Sequence, residues 1–306
     1  MQHHQVFSRF RQFSGVVPAG YHVDFVGTQI SHKFIAGQNG TNPKPRGGPI
    51  QDVSYPIFDE EYFEWIDLLE SVVAAKKVYT MIELGSGYGR WVVRAALAAR
   101  QYDPKLRCNL IAVEAEPTVY GWMKEHFRHN GLKPRHHSLL HGAVTNKPGK
   151  VEFYIGGPVG GPQDLAPDAW YGQCLSKDYE VAEAKPAGKY NGFKVLRYKS
   201  GWRSIRIPGV SLGSILKKLD RVDLIDLDIE GEELPSLTSV AAELDAKVKR
   251  LHIGTHGKEI EAGLRELLSA HGWECRADYS LFSTCETPYG PIQFENGAQS
   301  WVNPKL

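Results

Sequence analysis

The chain has 306 residues, 42% of them hydrophobic and 23% charged, with a formal net charge of +1. That length supports a full α/β core in one or two domains, and the near-neutral balance excludes the basic excess of a broad nucleic-acid footprint. No apolar run is long enough to span a bilayer, so neither a nucleic-acid nor a membrane partner is expected. Residues 1–20 lack the continuous apolar segment and small-residue cleavage site of a secretory signal. Cys108, Cys174, Cys275 and Cys285 show no C-x-x-C spacing and read as reduced thiols of a cytoplasmic protein.

Residues 1–57 are uneven and include a Gly/Pro/Asn-rich stretch from Gly37 to Pro56, which reads as loop. They are expected to form an N-terminal extension packed over a main domain at 58–306. From Asp59 the pattern changes: Asp59, Glu60 and Glu61 suit a first helical turn. Tyr62, Trp65, Ile66, Leu69, Val72 and Val73 then follow at helical spacing.

An apolar run (Val78, Tyr79, Met81, Ile82) leads into Glu83-Leu84-Gly85-Ser86-Gly87-Tyr88-Gly89, and an amphipathic run follows from Trp91 to Ala99. Strand, glycine turn and helix in that order are the setting in which a glycine loop binds a nucleotide. Glycines permit the positive φ values of the turn and let a ligand approach the backbone. The first N–H groups of the helix are then expected to face an anionic group. The spacing E-x-G-x-G-x-G differs from the G-x-G-x-x-G of dinucleotide binding. It resembles the first motif of Rossmann-like methyltransferases that use S-adenosylmethionine, which makes Glu83, Gly85, Ser86, Gly87, Tyr88 and Gly89 candidate cofactor residues. Leu110-Ile111-Ala112-Val113-Glu114-Ala115 is an apolar strand ending in an acid. A carboxylate at the end of the second strand of such a sheet accepts hydrogen bonds from ribose hydroxyls. Two matched elements in order favour that role for Glu114, beside Ala115, over a solvated strand-end charge. Pro117 suits the first turn of the next helix, Thr118 to Asn130, which sets Val119, Trp122, Met123 and Phe127 on a core face.

A strand-like run from Leu139 to Val144 precedes a turn and a second strand, Val151 to Ile155. Residues 156–203, rich in Gly, Pro, Lys and Tyr, then break the α/β rhythm and read as a lid-like insertion. Trp170, Tyr171 and Trp202 in it either stack on a ring-shaped acceptor or pin the insertion to the sheet. A short helix begins near Leu212. The run Val222–Leu234 opens as a strand along which Asp226, Asp228 and Glu230 alternate, which predicts side chains pointing one way. Ligands bind beyond the carboxyl ends of strands in open α/β sheets, and Asp228 and Glu230 fall there. The following strand, Val248 to Thr255, sets His252 and His256 on one face, with His256 at the carboxyl end, and Ile260 to Ala270 reads as a helix. Adjacent strands would bring His256 within reach of Asp228 and Glu230.

The succession E-L-G-S-G-Y-G, V-E-A-E-P, H-F-R-H-N-G, G-A-V, V-S-L-G-S-I-L, D-L-I-D-L-D-I-E-G-E-E-L and H-I-G-T-H-G resembles the FkbM family of methyltransferases across residues 58–273. It departs from the family's habit at Asp226, where lysine is common, and at Gly213, where Asp is common. The resemblance implies a class I Rossmann-like fold: a mostly parallel twisted sheet with helices on both faces and antiparallel C-terminal strands. It implies S-adenosylmethionine as donor, Ala143 near the adenine, and transfer to a hydroxyl oxygen of a sugar, polyketide or other small molecule. An alcohol must lose its proton as the new bond forms. Asp228, Glu230 and His256 are the candidates, either as general base or as ligands of a divalent cation such as Mg²⁺. Two other classes compete. A nicotinamide-dependent oxidoreductase is disfavoured by the loop spacing and Glu83; a non-catalytic S-adenosylmethionine-binding module is disfavoured by the concentrated Asp228, Glu230 and His256 set.

Overall fold

The structure, a computed structural model, describes residues 2–35, 47–146, 149–156, 172–176 and 181–306. The N-terminal residues form β1 (Gly15–Val17), β2 (Tyr21–Val23), β3 (Gln29–Ser31), α1 (His32–Ile35) and β4 (Gly48–Ile50), with β1 paired to β4 and β2 to β3. Val6, Phe7, Phe10, Phe25 and Val26 from this region are buried in one cluster with Tyr62, Trp65 and Leu69.

The α/β alternation begins with α2 (Tyr62–Ala74), β5 (Val78–Leu84), α3 (Arg90–Tyr102), β6 (Arg107–Glu114), α4 (Pro117–His129) and β7 (Ser138–His141). Then come β8 (Ala143–Val144), β9 (Lys150–Ile155), β10 (Lys185–Tyr190), β11 (Phe193–Arg197), β12 (Arg203–Val210) and α5 (Leu212–Leu216). The chain closes with β13 (Leu224–Leu227), α6 (Glu233–Thr238), α7 (Ala241–Lys247), β14 (Arg250–Thr255), α8 (Lys258–Ala270), β15 (Glu274–Tyr279), β16 (Ser283–Thr287), β17 (Gly290–Phe294) and β18 (Gly297–Val302).

Seven strands make the main sheet in the order β15-β18-β14-β13-β5-β6-β7. Only β18 runs against the others, pairing antiparallel with both β14 and β15. This is a mostly parallel, Rossmann-like α/β sheet with helices over both faces, and its central strands are largely apolar on both, apart from a buried polar row of Glu83, Asp226 and His252. Alternation divides the side chains: Tyr79, Met81, Leu110, Ala112 and Leu224 pack under α2, α3 and α4. Ile82, Leu84, Ile111, Val113, Ile225, Leu227, Leu251 and Ile253 pack against α5 to α8. Each fully buried Leu or Ile contributes about 1.5–3 kcal/mol by leaving water.

Two sequence expectations change. The acids Asp59 to Glu61 precede α2 rather than forming its first turn, since the helix begins at Tyr62 with Glu61 as its N-cap. Within 156–203, the insertion expected from the sequence holds regular structure at its described end: β10 and β11 form a hairpin that continues into β12, and β12 also pairs with β9 and β8. This second sheet buries Phe153, Ile155, Val195, Ile205 and Ile207 together with Ala115 and Ala143.

Candidate active site

The β5–α3 turn is held from three sides. The amides of Gly85 and Ser86 donate to the Val113 carbonyl at 3.1 and 3.0 Å, and Ser86 Oγ donates to the same oxygen at 2.8 Å. Gly85 sits at φ +78°, and a Cβ there would lie 1.7 Å from the Asp228 carbonyl oxygen. Glycine is therefore required both for conformation and for space. Glu83 does something the sequence did not suggest. Its two carboxylate oxygens accept from the amides of Trp91 and Val92, at 3.0 and 2.9 Å. The helix N–H groups expected to face a ligand are thus already capped from within, and Glu83 holds the loop to the helix. Burial raises the Glu83 carboxyl to about 7, against those two amide bonds. Tyr88 is buried, its ring stacked 5.2 Å from that of Phe34 in α1.

Two clefts flank this turn and share Gly85, Gly87 and Asp228. One, of about 630 Å³, is lined by Glu114, Ala115, Ala143, Val144 and Phe153, where the end of β6 lies beside the short β8. Glu114 Oε2 accepts from the Gly87 amide at 2.8 Å and Oε1 from the Glu116 amide at 2.6 Å. Burial pushes its carboxyl up to about 8, opposed by the Glu116 amide and aided by the nearby Glu116 charge. A buried carboxylate of this kind is stabilised further by neutral hydroxyl donors such as those of a ribose. The other cleft, of about 810 Å³, is lined by Gly85, Ser86, Gly87, Tyr88 and Arg90 with Glu61, Glu64, Asp226 and His252.

The structure brings Asp228, Glu230 and His256 together, though not as alternation predicts. Strand β13 ends at Leu227. Asp226 is buried in the strand, Asp228 lies exposed beyond it, and Glu230 adopts φ +52°, a left-handed turn conformation. The three carboxylates therefore do not share a strand face, because the chain turns before alternation reaches Glu230. His256 likewise follows the end of β14, and it does not share a setting with His252. Its Nδ1 donates to Glu233 Oε1 at 2.8 Å, while Nε2 lies 3.2 Å from Asp228 Oδ1 and 3.6 Å from Glu230 Oε1. The Nε2 contacts are those of an ion pair without hydrogen-bond alignment. Burial alone would lower the His256 pKa, but Asp228 and Glu233 outweigh it and push it up to about 11. Burial raises Glu230 to about 7, with the His256 charge opposing.

With its pKa pushed up to about 11 by these carboxylates, His256 favours the charged imidazolium form, and of the three expected proton acceptors Glu230, raised to about 7, is the better matched to neutral pH. One ligand atom from each of Asp228, Glu230 and His256 lies within 4.8 Å of the others, a spacing open to a divalent cation such as Mg²⁺, with Glu233 behind Nδ1 of the ring. Sequence reasoning missed Glu233, which is fully buried and accepts from the amides of Ile229 at 3.2 Å and Gly231 at 3.0 Å. Its signal was present in the G-E-E-L run, where an acid just after a glycine turn can reach back to the turn's amides.

Trp170 and Tyr171 lie outside the described residues. Trp202 packs against Tyr154, ring centroids 5.4 Å apart, and lines neither cleft.

No family model matches the chain. A protein of Jannaschia sp. (strain CCS1) named "Putative methyltransferase" is 28% identical over 239 residues, covering 76% of this chain and 77% of its own. A solved precorrin-6y C5,15-methyltransferase from Geobacter metallireducens superposes with a TM-score of 0.40 at 11% identity, over 80% of this chain and 90% of that one. The methyltransferase FkbM from Methylobacillus flagellatus gives 0.41 at 11% identity, over 75% of this chain and 45% of that one. Each is a methyltransferase by name. Among the described residues, no helix is long and apolar enough to cross a membrane.

Proposed function

We propose that this chain is an S-adenosylmethionine-dependent methyltransferase that methylates a hydroxyl oxygen of a small acceptor such as a sugar or polyketide, with 58–306 as the donor-binding domain. The observation that carries this reading is Glu114: a buried carboxyl bonded to the Gly87 amide of the glycine turn and lining one cleft with Ala143. The relative from Jannaschia supports it. Glu114 would hold the ribose hydroxyls, Ala115 and Ala143 the adenine, and the Gly85–Gly89 turn the methionine end. Bound there, S-adenosylmethionine supplies a methyl group on a positively charged sulfur, an excellent leaving group.

The chain's own work is alignment, exclusion of water and removal of the acceptor's proton. Glu230 is the base in this proposal, because a carboxyl raised to about 7 is half ionised near neutrality and gains a proton readily. His256 holds Asp228 and Glu230 in place as their counter-charge, and Glu233 orients His256. Asp228, beside both clefts, faces the acceptor.

The test combines calorimetry with S-adenosylhomocysteine and with NADH, and methyl transfer from labelled S-adenosylmethionine to a panel of hydroxylated acceptors. Expected are binding of the first nucleotide alone, and a loss of turnover of about 100-fold or more in Glu230→Gln, the scale of a lost general base, with donor affinity kept. NADH binding in place of S-adenosylhomocysteine would overturn the reading. Normal turnover in Glu230→Gln would remove Glu230 from the chemistry.

A further inference from the structure

Below the glycine turn lies a group that the proposed reaction leaves unused. Glu83, Asp226, His252 and Ser300 stand in one row across four neighbouring strands. Asp226 is paired with Glu83 on β5 and with His252 on β14, and His252 with Ser300 on β18. Helix α2 crosses this face of the sheet and brings Glu64 and Asp67 down from adjacent turns. Asp67 is itself tightly held: it accepts from Arg250 Nη1 at 2.7 Å and from Ser300 Oγ, and its other bond is to His252 Nδ1 at 2.8 Å.

That bond commits Nδ1 and leaves Nε2 as the working face of the ring. Among the described residues Nε2 has no hydrogen-bond partner, although the His252 side chain is only 6% exposed. His252 lines the larger cleft beside Glu64 and Asp226, and one ligand atom from each of the three lies within 4.8 Å of the others. An ion bound by nitrogen and oxygen at about 2.0–2.2 Å holds its ligand atoms roughly 3–3.5 Å apart, so a small closure of side chains suffices. Glu64 and Asp226 are hydrogen bonded to each other, and burial pushes both carboxyls well up toward the protonated form; an ion of charge +2 between them would take the place of the shared proton. A carboxylate behind a histidine is also the arrangement that fixes tautomer and ring direction in metal sites. The Asp228, Glu230 and His256 group shares this arrangement, with Glu233 behind Nδ1, but it is the more exposed of the two.

We infer that Glu64, Asp226 and His252 form a binding site for a divalent transition metal, with Asp67 as the outer carboxylate that aims His252. A mixed set of two carboxylates and one imidazole suits Mn²⁺, Fe²⁺ or Zn²⁺ better than Mg²⁺. The remaining coordination positions open into the cleft beside the glycine turn. The site stands whether or not the chain transfers methyl groups.

The experiment titrates Mn²⁺ into the metal-stripped full chain and follows free Mn²⁺ by electron paramagnetic resonance. The expected result is one ion per chain. Glu64→Gln, Asp226→Asn and His252→Gln should each weaken binding by at least about 10-fold, and Asp67→Asn by about 10- to 100-fold, as for outer-shell partners. Asp228→Asn and His256→Gln should leave Mn²⁺ affinity unchanged. Should a buried variant fail to fold, electron spin-echo modulation on the wild-type complex serves instead, and coupling to one imidazole nitrogen is expected. Absence of stoichiometric Mn²⁺ binding, or binding that depends on Asp228 and His256, overturns the inference. So does displacement of Mn²⁺ by S-adenosylhomocysteine, which would make the cluster a seat for the donor's ammonium group.

Discussion

Replacing His256 by Gln should raise the pH at which Glu230 loses its proton. In the wild type the imidazolium Nε2 lies 3.6 Å from Glu230 Oε1 and favours the ionised carboxylate, yet burial still holds the Glu230 pKa at about 7. Unit charges at that separation interact by about 4–5 kcal/mol at an effective dielectric of about 20, equivalent to roughly three pH units. The Glu230 side chain is 27% exposed, so solvent screens part of this, and the expected rise is about one to two pH units. Isotope-labelled glutamate carboxylates followed by NMR across pH, with Glu230→Gln assigning the signal, measure it without any acceptor. Stability gives a second readout. The His256 pKa is raised from 6.5 to about 11, so its contribution is complete below the unfolded value and is lost as pH climbs from there through the folded one. The variant should lack that downward slope in denaturant titrations. A Glu230 midpoint that stays in place or falls would refute the ion-pair account and return His256 to the list of possible bases.

Glu114→Ala removes the acceptor of the Gly87 and Glu116 amides; it should weaken S-adenosylhomocysteine binding by about 1–3 kcal/mol, and unchanged affinity by calorimetry would sink the ribose assignment. Gly85→Ala places a methyl group 1.7 Å from the Asp228 carbonyl oxygen; it should abolish donor binding and lower the melting temperature, and a well-folded variant with normal affinity would refute the steric argument. Glu83→Ala uncaps the Trp91 and Val92 amides and should cost about 1–3 kcal/mol of stability in denaturant titrations. An effect on donor affinity without one on stability would instead make Glu83 a ligand group.

The parallel sheet was legible because β5, β6, β13 and β14 are short apolar runs, each followed by a turn and a helix-period pattern. The second sheet was not. Lys185–Tyr190 is an almost wholly exposed edge strand with Lys, Pro and Gly, so burial gave it no alternation to read. In β12 the buried Ile205 and Ile207 do alternate, but Pro208 and flanking arginines hide them. Asp228, Glu230 and His256 were found by their place at strand ends, while their ionisation was not. The His256 pKa depends on Glu233, which reaches it from α6. The Glu64–Asp226–His252 group was invisible for the same reason, since a helix acid and two strand residues meet only once α2 is laid across the sheet.

The contact between Gly85 and the Asp228 backbone has a consequence for how this chain can be altered. The turn that follows β5 and the turn that follows β13 touch with no room for a methyl group between them, so they are one part and not two. A chimera that imports a glycine turn from a relative must import the Asp228–Glu233 segment with it, or the two surfaces will clash or gape. The exposed edge of β10, Lys185–Lys189, carries no such obligation, whereas the hairpin's tip does, since Tyr190 and Asn191 both bond the Thr118 hydroxyl of α4 at 2.8 Å.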